Sequence, residues 1–65
     1  MSRDHTLKNV TEMAEQAETV LFMWERMDKP LCESETQAIV SLLRRLTGNV
    51  SSWLGDELAE KERGQ

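Results

Sequence analysis

Cysteine, proline, histidine and tyrosine are almost missing from this chain of 65 residues, which holds one Cys, one Pro, one His and no Tyr. A single cysteine, Cys32, excludes an intrachain disulfide. Cys32 and His5 together supply two of the four nitrogen or sulfur ligands that a structural zinc site needs. The three glycines, Gly48, Gly55 and Gly64, are too scattered to form a phosphate-cradling loop. Glu-x-x-His, the helical signature of a di-iron centre, does not occur. These absences lead to an expectation of no metal, no cofactor and no catalytic residues, and so of a protein that is not an enzyme.

Long apolar runs are missing too. The longest, Val20-Leu21-Phe22-Met23-Trp24, has five residues, against about 20 for a membrane span. The opening Met-Ser-Arg-Asp-His leads into no apolar stretch of the kind a secretory signal carries. The reading is therefore a cytoplasmic protein with no membrane contact, whose cysteine stays reduced. A lipid-surface role for Phe22, Met23 and Trp24 is disfavoured, because interfacial helices carry lysine and arginine on the polar face and this one carries mostly glutamate.

Basic charge is in short supply. Eight basic residues face 12 acidic ones for a net charge of −4, and each half of the chain is acidic. Nucleic-acid binding draws on lysine and arginine to displace counterions from phosphate, so the balance favours protein partners.

What the chain does have is helical periodicity. Leu7, Val10, Ala14, Ala17, Leu21 and Trp24 recur at alternating intervals of three and four, the spacing of one helix face set against another helix. Met13, Val20 and Met27 repeat beside this stripe and widen it. Asp4 or Thr6 serves as the cap. Pro30 disfavours helical backbone at Lys29 and sets the end of the helix near Asp28 or Lys29. Ser34 followed by Gln37 fits a capping box for a second helix. That helix carries its own stripe, Ile39, Leu43, Leu46, Val50 and Trp53, flanked by Val40, Leu42 and Leu54, with Leu58 prolonging it. Thr47-Gly48-Asn49 resembles a helix stop, after which Ser51 or Ser52 would start a short third helix, but the stripe passes through Gly48 in phase and favours one helix, bent there if at all. Burial of Val50, Trp53 and Leu54 offsets the roughly 1 kcal/mol that a mid-helix glycine costs.

The expected fold is all-α: one domain spanning 1–65, an antiparallel helical hairpin with helix one over about 5–28, a turn over about 29–34 and helix two over about 35–61. A domain this small buries only about 60% of the surface its unfolded chain exposes. With disulfide and metal excluded, association is the remaining way to enlarge the core. Two hairpins back to back make a four-helix bundle, so a homodimer is expected. The expected interface is Met13, Val20, Phe22, Met23, Met27, Val40, Leu42 and Leu54, with Phe22 and Met23 also suited to a different protein. Cys32, beside Leu31 and Glu33, reads as a half-buried apolar residue, and His5 as simply exposed.

The function expected from these features is a small non-enzymatic interaction or regulatory module. The alternative is a nucleic-acid-binding regulator in which dimerisation pairs Arg44 and Arg45, with Lys8 and Arg26, on one surface.

Overall fold

The computed structural model describes residues 5–64. Two helices account for nearly all of them: α1, Leu7–Glu25, and α2, Glu33–Arg63. They pack against each other along their length, joined by the seven residues 26–32. At 1.5 Å per residue α1 is about 28 Å long and α2 about 46 Å, so α2 outruns its neighbour and the molecule is a rod of 51 × 18 × 17 Å.

Helix α1 begins where Thr6 caps it. The Thr6 Oγ1 accepts the Asn9 backbone N–H at 3.1 Å, and Asn9 Oδ1 accepts the Thr6 N–H at 3.3 Å. This reciprocal pair satisfies two donors that a helix start leaves free. Asp4, the other cap suggested by sequence, lies outside the described residues. The helix ends at Glu25, three or four residues earlier than Pro30 alone implies. Its last turn tightens, with the Arg26 and Met27 N–H groups donating to the carbonyls of Met23 and Trp24, each at 3.2 Å.

The reason for the early exit lies at the start of α2, which begins at Glu33 and not at the Ser34 box. Cys32 occupies the cap position, and the Glu35 carboxylate reaches back to accept its N–H at 3.1 Å. Glu35 thus does the work expected of Gln37. Glu33 and Glu35 in the first turn also oppose the positive end of the helix dipole. With α2 starting early, the chain needs residues from the end of α1 to cross between the helices. Cys32 is consequently exposed, not half-buried as expected.

Helix α2 continues without a break through Gly48 and Gly55, so Thr47-Gly48-Asn49 is not a stop. It runs to Arg63, two residues beyond the expected end. Lys61 and Arg63 complement its negative end, and Arg63 pairs with Glu60 at 3.6 Å.

Two polar contacts fix the helices against each other. The Trp53 indole N–H donates to the His5 carbonyl at 3.0 Å, fastening the start of α1 to α2. His5 is half-buried there, contrary to the expectation that it is exposed. Further along, the Asn49 amide donates to the Met13 sulfur at 3.6 Å. The apolar interior itself is thin. Among the described residues Val10, Ala17 and Leu46 are the buried hydrophobic ones, at 4–6% exposure, and no side chain is fully enclosed.

Candidate interaction surface

An a/d stripe contains two rows of side chains, each repeating every seven residues. The rotation of the two helices decides which row is covered best. On α1 the row Val10, Ala17 and Trp24 turns inward: two are buried and Trp24 is half-buried. The row Leu7, Ala14 and Leu21 falls to the edge, leaving both leucines exposed. On α2 the inner row is Ile39, Leu46 and Trp53, the other stripe row, Leu43 and Val50, is half-buried, and the flanking row Val40, Thr47 and Leu54 is the exposed edge. Leu7 and Leu21, expected in the seam, are therefore surface residues. The physical reason is that rotation, which turns the second α1 row towards solvent.

The two edge rows lie on the same side of the hairpin. Ala14, Ala17, Glu18 and Leu21 from α1, with Thr47, Val50, Ser51 and Leu54 from α2, line one open and largely apolar groove of about 410 Å³. Leu7, Val40 and Leu58 extend this side along both helices. Leu7, Leu21, Val40, Leu54 and Leu58 on this face are 40–64% exposed, while Val50 in the groove is half-buried.

The residues expected to form one interface are distributed differently. Val20 and Leu42 share a groove on the opposite side, with Leu46 at its floor and Glu12, Glu15, Gln16 and Thr19 around it. Both are half-buried by the hairpin itself, as is Met13, whose sulfur meets Asn49. Met27 is exposed in the connection. Phe22 and Met23 are exposed and point about 100° apart around α1. Phe22 stands among Glu15, Glu18 and Glu25, with the Arg26 guanidinium 4.2 Å above its ring. That cation–π contact covers part of the aromatic face. Only Val40 and Leu54 of the expected set belong to the apolar edge. Leu7, Leu21 and Leu58 complete it; Leu7 and Leu21 belong to the second heptad row of the α1 stripe, and Leu58 follows Leu54 by four residues.

Arg44 and Arg45 are both exposed, but they too diverge by about 100°. Arg44 leans along Thr36, Gln37, Val40 and Ser41 beside the apolar edge, while Arg45 turns away from it. Lys8 and Arg26 sit on the outer surface of α1. One chain therefore gathers no single basic surface from these four.

Among the described residues no cluster of three or more His, Cys, Asp or Glu could hold a metal ion, and no helix is long and apolar enough to cross a membrane. Fold and surface together define an all-α, two-helix protein. Comparison with protein-family models, curated proteins and solved structures finds no match for the chain.

Proposed function

We propose that this chain is a non-enzymatic, cytoplasmic interaction module that acts as a homodimer of helical hairpins. The observation that carries the reading is the imbalance between what one hairpin buries and what it leaves out. Among the described residues three apolar ones are buried, against eight large ones exposed: Leu7, Leu21, Phe22, Met23, Met27, Val40, Leu54 and Leu58. The surface area supports the same view. The chain exposes 5487 Å², on the order of 1,000 Å² more than a compact folded protein of its mass. Its radius of gyration of 15.1 Å compares with about 11 Å for a compact domain of this length.

A second copy removes the excess. Two separate hairpins expose about 11,000 Å² and one compact body of twice the mass about 7,000 Å². The difference falls within the roughly 2,000–5,000 Å² of obligate homodimers. Phe22 and Met23, outside the apolar edge, stay available for the protein on which the dimer acts.

Light scattering on a sizing column tests the proposal. A mass near twice 7.5 kDa that persists on dilution is the expected result. A helical species of 7.5 kDa at every concentration would sink it.

A further inference from the structure

We infer that the second copy docks on the edge face of Leu7, Leu21, Leu54 and Leu58, with the two-fold axis running along the helices, so that α1 of one protomer lies against α2 of the other. The inference rests on the dimer reading above and specifies it.

Polarity selects the face. On the opposite side, Glu12, Glu15, Gln16 and Thr19 surround Val20 and Leu42, so covering that groove would strip water from carboxylates. On the edge face the groove polar groups are few. The Thr47 hydroxyl already donates to the Leu43 carbonyl at 2.7 Å, Ser51 is small, and Glu18 stands at the rim. The apolar edge is also continuous from Leu7 to Leu21 on α1 and from Val40 to Leu58 on α2.

Charge selects the axis. The α1 rim of this face is acidic, with Glu18 in the groove wall and Glu25 two turns further along the same edge. The α2 rim carries Arg44, beside Val40 and Gln37. Glu18, Glu25 and Arg44 are all exposed. Face-to-face pairing allows two choices. An axis across the helices sets α1 on its own copy and brings the acidic rims together. An axis along the helices sets α1 on the partner's α2 and preserves the levels found within one chain. Asn49 beside Met13 puts Arg44 at the level of Glu18 within one chain, so the partner's Arg44 then faces Glu18, with Glu25 about 10 Å further along. Opposite charges meet on both edges of the bundle, and every adjacent helix pair is antiparallel.

Two variants test this by mass and by dilution. One carries Glu18→Lys with Glu25→Lys; the other carries Arg44→Glu. Each alone should weaken dimerisation by roughly tenfold or more, because like charges then face each other twice across the axis. Mixed in equal amounts, the two should associate as tightly as the original protein. The double lysine variant adds four units of charge to −4 and is neutral. A general charge effect would therefore strengthen its association, the opposite of the expected result. If the original protein dimerises and both variants match it, the face and axis are wrong while the dimer stands. If the original protein is monomeric throughout, both readings fail together.

Discussion

Leu46→Ala should cost the protein about half of its stability. Leu46 is the one large aliphatic side chain buried on α2, and it forms the floor of the groove between Val20 and Leu42. Removing it creates a cavity that costs about 2–5 kcal/mol. A chain of this length has of the order of 3–10 kcal/mol in total, at the usual stability per residue. With only Val10 and Ala17 buried beside it, no other core is available to take the load. Met23→Ala is the contrasting substitution: its side chain is exposed, so stability should change by about 0.5 kcal/mol or less. Urea melts of the two variants check both statements. Equal losses would mean that the buried seam does not run through Leu46.

The second large effect goes the other way. Gly48→Ala and Gly55→Ala should each stabilise the protein by about 1 kcal/mol, since alanine in mid-helix is better than glycine by that amount. The usual objection to filling a glycine is a steric one. Here an added Cβ meets nothing within 4 Å at either position, and neither glycine has a positive φ. The two sites are about 10 Å apart along the helix, so their effects should add. At roughly 4–8 °C per kcal/mol for a domain of this size, the double variant should melt on the order of 10 °C higher. A fall in melting temperature would show that another backbone lies against this outer surface of α2.

The helix count, and the preference for one helix through Gly48 over a break there, were legible in the sequence. They depend on spacing, and spacing is a property of a single helix. The boundaries were less legible. Ser34 and Gln37 have the chemistry of a capping box, yet Glu35 reaches the Cys32 N–H instead, and choosing between two such pairs requires knowing where the chain must turn. Pro30 marked a limit for α1 without fixing where the helix stops. The surface was the least legible part. Met13, Val20 and Leu42 were expected to be left over, and the hairpin half-covers them. Leu7 and Leu21 were expected to be covered, and they are open. Which heptad row turns inward depends on how two helices rotate against each other. Here the contact of Asn49 with Met13 and the tie from Trp53 to the His5 carbonyl accompany that rotation. Neither polar pair follows from apolar periodicity.

On the proposed reading one hairpin buries too little to stand alone, and a second copy completes it. Thermal unfolding followed by far-UV circular dichroism over a range of protein concentrations tests this most directly. If folding and pairing are one event, a hundredfold increase in concentration should raise the melting temperature by about 10 °C. A melting temperature that does not move with concentration, in a protein of monomeric mass, would contradict the account.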